Sequence, residues 1–407
     1  MLHSFSCENF YSIKDRQEVS FVVNRNAPDT DTYFTTPSGA RLSKLNIVVG
    51  ANASGKTNIL KVLPFMQWFL LSDPPLHKAR KQLPVKPFQF CEQVKKESTT
   101  SVTFEINEKI YTYSITLTED HVTEETLKVK TLVAKRHSTK ILFTRKWDAK
   151  SEQYNLHDYA FNLPKPIKKL SLPTSSLLGA SARYEHPESV SIISYWENIH
   201  SNIVESGWDE DLFIHSTRNH KKFLRALTIY AENPDIKKEA EQFLGDIDTG
   251  LSQIKIDDSE KSLNVEGVHM VQDKDYPLPL LYESSGTKQV MATLAHILYA
   301  LKKAKGQDTI INILDEIDTN LHPDITEKLS EFFLYPNSET KQMQTIFSTH
   351  NHRLLDEVDK YQVIFVQREN DGSSKVYRLD EIEGVRSDEN YYEKYIAGRY
   401  GATPYIL

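Results

Sequence analysis

The feature that most constrains this chain is the short run Leu45-Asn46-Ile47-Val48-Val49, followed at once by Gly50-Ala51-Asn52-Ala53-Ser54-Gly55-Lys56-Thr57. The run reads as a strand buried inside a parallel sheet. The eight residues after it fit the phosphate-loop pattern G-x-x-x-x-G-K-[ST] without departure. In such a loop the glycines let backbone N–H groups curl around phosphate oxygens, and the following helix N-terminus adds its dipole. Lys56 is placed to reach the outer phosphates, and Thr57 offers a hydroxyl to a magnesium ion. Asn52, Ala53, Ser54, Gly55 and Asn58 complete the cradle. A helix is expected from Lys56 to about Phe69, with Pro64 kinking or shortening it. A glycine-rich turn with a chance Gly-Lys-Thr would lack these flanks.

A second run, Ile310-Ile311-Asn312-Ile313-Leu314, ends in Asp315-Glu316. Alone it reads equally well as a buried strand followed by an acidic turn. With a phosphate loop in the same chain, it suits magnesium and water chemistry. Asp315 would hold the ion's shell, and Glu316 would orient or deprotonate an attacking water.

Two further elements narrow the class. Glu283-Ser284-Ser285-Gly286-Thr287-Lys288 precedes a long helical pattern and resembles the signature loop of ABC-type ATPases. Ser284, Ser285 and Gly286 stand at its phosphate-facing positions, although an ordinary Ser/Gly helix start has the same appearance. Thr345-Ile346-Phe347-Ser348-Thr349-His350 resembles the strand that ends in a switch histidine, which places His350 at the outermost phosphate. The four elements occur in the order that ABC-type heads require.

The rest of the chain fits an α/β head with insertions. Leu2–Cys7 and Glu18–Val23 alternate as an opening hairpin, and residues 24–42 read as loop. Between Ser101 and Trp147 the pattern has period two and predicts about four antiparallel strands with one solvated face. Helical patterns follow at Ser191–Val204, Asn219–Tyr230, Ile236–Leu244 and Lys288–Lys303. A final hairpin pairs Tyr361–Gln367 with Lys375–Arg378 about an Asp371-Gly372 turn. The expected division is 1–150 as an N-terminal lobe, 151–252 as a mostly helical insertion and 253–407 as a C-terminal lobe. With 407 residues, 39% hydrophobic, a packed core needs no staples. Two cysteines, Cys7 and Cys91, give neither a disulfide framework nor a zinc site and suit a reducing, cytoplasmic setting. Nothing at the N-terminus reads as a signal peptide, and no apolar stretch is long enough to span a bilayer. A net charge of −7 gives no bulk footprint for nucleic acid, though a local patch stays open.

Three more segments extend the likeness: Phe5–Ile13 at the start, Leu321-His322-Pro323 after the acidic pair, and Tyr395–Pro404 near the end. The chain resembles ABC-type ATPases related to SMC and OLD-type heads, including the abortive-infection ATPases of the AbiLi and RloA type. That resemblance implies ATP and Mg2+ as ligands and hydrolysis at composite sites. In such sites Ser284–Gly286 of one head completes the phosphate loop of another, in a homodimer or higher oligomer. It implies a sensor or regulator in anti-phage defence beside a separate effector, a toxin or nuclease. The other reading is an SMC-like machine for DNA binding or repair; the absence of heptads between Thr57 and Ser284 counts against it.

His322 stands where transporter ATPases usually carry aspartate. Gln89 is the best candidate for a Q-loop glutamine in the magnesium shell. The stretch after Arg353 is too short for an OLD-type nuclease domain. Two basic groups, His77 to Lys86 and Lys135 to Lys140, read as solvated surface or as nucleic-acid contacts, the former being commoner. His215, His220, Arg218 and Glu210 read as polar surface rather than as a nuclease set.

Overall fold

A computed structural model of the chain describes residues 1–72, 82–133, 136–203, 218–247, 249–257, 264–304, 309–335 and 343–404. They fall in two compact units. One is Met1–Glu210 with Thr309–Asp315 and Gln342–Leu407; the other is Asp211–Asp308 with Glu316–Lys341. The α/β expectation holds.

The first unit opens with β1 (Leu2–Glu8) and β2 (Gln17–Ser20), paired antiparallel with Phe5 opposite Val19. The second strand stops short of the expected Val23 because Val22 leaves the hairpin to bridge Leu42. Leu42 lies in β4 (Arg41–Ser43), which pairs with β3 (Tyr33–Thr35) inside the stretch read as loop. Then β5 (Leu45–Val49), buried at every position, runs into the phosphate loop. The expected single helix is two: α1 (Lys56–Leu60) and α2 (Val62–Leu71), broken at Lys61. Pro64 thus sits in the first turn of α2, where its missing N–H forfeits no helical bond.

The antiparallel region contains β6 (Ser98–Ile106), β7 (Lys109–Leu117), β8 (Val122–Val133), β9 (Arg136–Asp148) and β10 (Gln153–Asp158). With β1 and β2 they make one seven-stranded sheet, ordered β10-β9-β8-β7-β6-β1-β2. The sheet is larger than the four strands expected because the opening hairpin adds two strands at one edge and β10 one at the other. One register row, Val19-Phe5-Val102-Tyr113-Leu127-Phe143, is buried throughout. The opposite face carries hydroxyl pairs such as Ser101–Ser114 and Thr103–Thr112, as period-two alternation requires. Inside, Arg145 donates to Glu125 at 2.7 Å, and Glu125 accepts from the Leu177 N–H at 3.1 Å. This anchors α3 (Leu177–Arg183) to the sheet.

The helix expected over Ser191–Val204 is instead α4 (Pro187–Glu197) followed by β11 (Ile199–Ser201). The apolar residues after Asn198 serve a distant partner: β11 pairs parallel with β15 (Ile310–Leu314), Ile199 opposite Ile311. Local periodicity cannot see that pairing.

The second unit holds α5 (Arg218–Glu232) and α6 (Pro234–Asp246), split at Asn233-Pro234 and close to the expected helices. It also holds an antiparallel sheet the sequence pattern did not reveal: β12 (Leu251–Asp257), β13 (Asn264–Val271) and β14 (Lys274–Pro279). Every residue of β14 is exposed, so it carries no apolar alternation. Its remaining helices are α7 (Ser285–Ala304) and α8 (Pro323–Leu334).

The chain re-enters the first unit at β15, then β16 (Met343–Ser348), β17 (Val363–Arg368), β18 (Ser374–Arg378) and α9 (Tyr391–Ile396). The core sheet is ordered β11-β15-β16-β5-β17-β18, parallel except for the final β17–β18 pair. Gly372, at φ 81°, makes the turn of that hairpin. Among the described residues no helix is long and apolar enough to cross a membrane.

Candidate functional site

The parallel neighbours β5, β15 and β16 are buried along their whole length and run in one direction, so their C-terminal ends meet at one sheet edge. Those ends carry the phosphate loop, Asp315 and Ser348-Thr349-His350. Crevices at such edges are where open α/β sheets bind ligands.

The loop's shape is imposed from outside. A Cβ on Gly50 would lie 2.2 Å from the Val366 carbonyl oxygen, so β17 leaves room only for glycine. Gly55 has φ 106°, and a Cβ there would meet the hydroxyls of Ser374 and Ser12 at 2.2 and 2.6 Å. These two serines bond to each other at 2.8 Å, and Ser12 also accepts from the Asn58 side chain at 2.9 Å. Ala53 is left-handed at φ 58°. Asn52 and Ala53 are exposed, whereas Ser54 is buried, its hydroxyl without a hydrogen-bond partner among the described residues. The Lys56 ammonium, itself buried, donates to the carbonyls of Gly50 (2.8 Å) and Ala51 (3.1 Å).

Asp315 joins the loop to the neighbouring strands. Its Oδ2 accepts from the Thr57 hydroxyl at 2.9 Å and its Oδ1 from the Ser348 hydroxyl at 2.7 Å. Asn202, just past β11, clamps its backbone on both sides: Asp315 N donates to Asn202 Oδ1 at 2.7 Å, and Asn202 Nδ2 to Asp315 O at 3.0 Å. A fully buried carboxylate between two hydroxyls offers hard oxygen donors, and Mg2+ characteristically takes one or two such protein ligands beside phosphate and water. Thr57 and Asp315 therefore fit a magnesium site. Gln89 does not join them: it is exposed, and its amide donates to the Pro87 carbonyl at 2.9 Å.

His350 is exposed just past the end of β16, and Thr349 N donates to Val48 O at 3.2 Å, which ties this segment to β5. Glu316 is half-buried, left-handed at φ 51°, and accepts from the Thr319 hydroxyl at 3.3 Å. A non-glycine residue held there stores about 1–3 kcal/mol.

The residues that resemble a signature loop in sequence lie in the second unit. Ser284 and Ser285 are exposed at the start of α7, and the Ser284 hydroxyl accepts from Thr287 N at 3.0 Å. Ser284 thus caps the helix, the ordinary role of a serine in that position. Gly286 packs against Asn320: a Cβ would stand 3.0 Å from its carbonyl oxygen. Of the other candidates, His77, Lys78, Arg80, Lys81, Lys135, Glu210 and His215 fall outside the described residues.

Sequence reasoning missed Ser374 and Asn202. Ser12 stood in the opening motif without a role. No local pattern marks a residue that braces a loop hundreds of positions away.

The sequence model of the family described as "AAA domain, putative AbiEii toxin, Type IV TA system" matches residues 45–356, more than three quarters of the chain. No curated protein matches. Solved structures similar to this chain include an SMC head bound to the C-terminal winged-helix domain of ScpA, at 15% identity and TM-score 0.48, covering 93% of this chain and 97% of that one. The SMC head domain from Thermotoga maritima is 14% identical, with TM-score 0.41 and 93% and 98% coverage. An SMC head with an extended coiled coil, bound to the C-terminal domain of ScpA derived from Pyrococcus furiosus, is 14% identical, with TM-score 0.45 and 93% and 97% coverage.

Proposed function

We propose, from the premise that this chain belongs to that AAA family, that it binds and hydrolyses ATP at sites completed by a second copy of itself. The single observation that carries the reading is the 2.9 Å bond from Thr57 to Asp315, which brings the phosphate loop and the acidic strand end to one point. Lys56 binds the outer phosphates, Glu316 orients the attacking water, and His350 meets the terminal phosphate. Thr57 and Asp315 would hold Mg2+, which would supply positive charge against the phosphates. Ser284, Ser285 and Gly286 come from the partner, where a helix N-terminus covers the side of the nucleotide that the phosphate loop leaves open. Steady-state ATP turnover of wild type beside Lys56→Ala tests this. Lys56→Ala should lose nucleotide binding and turnover; equal turnover would refute it.

Within a cell, the hydrolysis cycle reports to a separate effector in anti-phage defence. The family's description names a toxin–antitoxin system, which supports a role beside a second component. Capture of the native complex from its own cells discriminates. A stoichiometric protein effector supports the reading. Stoichiometric DNA-end binding without a protein partner would instead support an SMC-like DNA machine.

A further inference from the structure

The loop Gly398–Ala402 lies beyond the residues the family model matches, and it touches the phosphate loop directly. The Ala402 carbonyl accepts from Ala51 N at 3.0 Å. Ala51 is the second residue of the phosphate loop, and its own carbonyl receives Lys56 and the Ser54 N–H. The path from the C-terminal loop to the phosphate-binding lysine is therefore two hydrogen bonds long.

This contact is built at a cost. Gly398, Gly401 and Ala402 all have positive φ, 74°, 71° and 56°. Ala402 is not glycine, so its left-handed backbone is strained, and such strain persists only where surroundings over-determine it. The surroundings here are specific. Gln367 Oε1 accepts from Ala402 N at 3.0 Å and from the Tyr377 hydroxyl at 3.1 Å. The single Tyr377 O–H is shared with the Tyr400 carbonyl, the nearer acceptor at 2.7 Å, and the buried Tyr395 donates to the Ala402 carbonyl at 3.0 Å. Burial pushes the Tyr377 and Tyr395 phenols up to about 12, so both remain donors across the physiological range. Tyr395 stacks on Phe365 of β17 (5.4 Å between centroids, 6° between planes) and packs against His352, two residues past His350.

We propose that Gly398–Ala402, locked by Gln367 and Tyr395, is a positioning element of the nucleotide site: it fixes Ala51 and thereby the entry of the phosphate loop. The proposal rests on the phosphate-loop reading above. It assigns Gln367 and Tyr395 as positioning residues, acting on nucleotide through Ala402 and Ala51.

The test is Mg-ATP binding to the full chain, read both as a dissociation constant and as the nucleotide-induced rise in melting temperature. Gln367→Met keeps the side chain's length but removes the acceptor shared by Ala402 and Tyr377. It should weaken ATP binding about five- to tenfold, on the scale of one lost buried hydrogen bond. The ATP-induced rise should shrink accordingly. KM should rise in step while kcat stays within about twofold. A purely structural role would lower the melting temperature of the empty protein and leave the ATP-induced rise at the wild-type size; that result overturns the proposal. Tyr395→Phe, which keeps the ring stack and deletes only the donor, gives a milder second reading in the same direction should Gln367→Met fold poorly. Wild-type affinity in a folded Tyr395→Phe would then count against the loop. Lys56→Ala separates the two claims. If it loses ATP while Gln367→Met and Tyr395→Phe bind normally, the loop proposal fails alone; if it binds ATP normally, the phosphate-loop reading fails.

Discussion

The phosphate loop and the Ser284–Gly286 loop proposed to complete a partner's site share one device, a glycine and a hydroxyl residue at a helix N-terminus, yet they are supported in opposite ways. The phosphate loop is braced on several sides: Val366 against Gly50, Ser12 and Ser374 against Gly55, and Ala402 on Ala51. Ser284 and Ser285 are exposed, and among the described residues the Ser284 hydroxyl is engaged with Thr287 of its own helix. A loop that wraps a ligand within one chain must be pre-shaped by that chain. A loop that closes over another chain's ligand needs a stable helix start and an open face. The contrast is what a shared site would require of each half.

Three substitutions sharpen this contrast. The largest effect is expected at Glu316. Glu316→Gln should bind ATP as wild type does and lose roughly 10²–10⁴ in kcat, the range for a positioned general base. Undiminished single-turnover hydrolysis would remove Glu316 from its role. Next is Gly50→Ala, which drives a methyl into the Val366 carbonyl. Overpacking against backbone should cost about 2–3 kcal/mol of stability and displace the loop, read as a lower denaturation midpoint together with weaker ATP binding. The smallest is Ser284→Ala. Losing an N-cap should cost about 1 kcal/mol. ATP binding by the first unit should be untouched, since Lys56 and Thr57 are unchanged. A Ser284→Ala protein that binds ATP poorly before any association would break the contrast.

The strand-loop-helix core was legible because its signals are local: five buried residues, a fixed loop pattern and a helix, all within some thirty positions. That Asp315 and the segment before His350 lie at one edge was legible because neighbouring strands of a parallel sheet end on the same side. What was hidden is non-local. Ile199–Ser201 looked like the end of a helix because its partner, β15, lies more than a hundred residues on. The sheet of β12, β13 and β14 was hidden because β14 is solvated on every residue and carries no alternation. Gln89 was chosen by position ahead of the antiparallel strands, a place that fixes the backbone path but not the direction of a side chain.

The central claim is that one active site draws on two copies of this chain, and complementation measures it most directly. Lys56→Ala and Ser284→Arg are each expected to be inactive, the first for want of phosphate binding, the second because a bulky cation blocks closure. Mixed, they can form a heterodimer in which Lys56 of one copy and Ser284 of the other rebuild a single intact site. The account predicts that ATP turnover returns on mixing, toward half the wild-type rate per heterodimer. Heterodimers that form without recovering turnover, or a Ser284→Arg protein that hydrolyses ATP normally on its own, would contradict it.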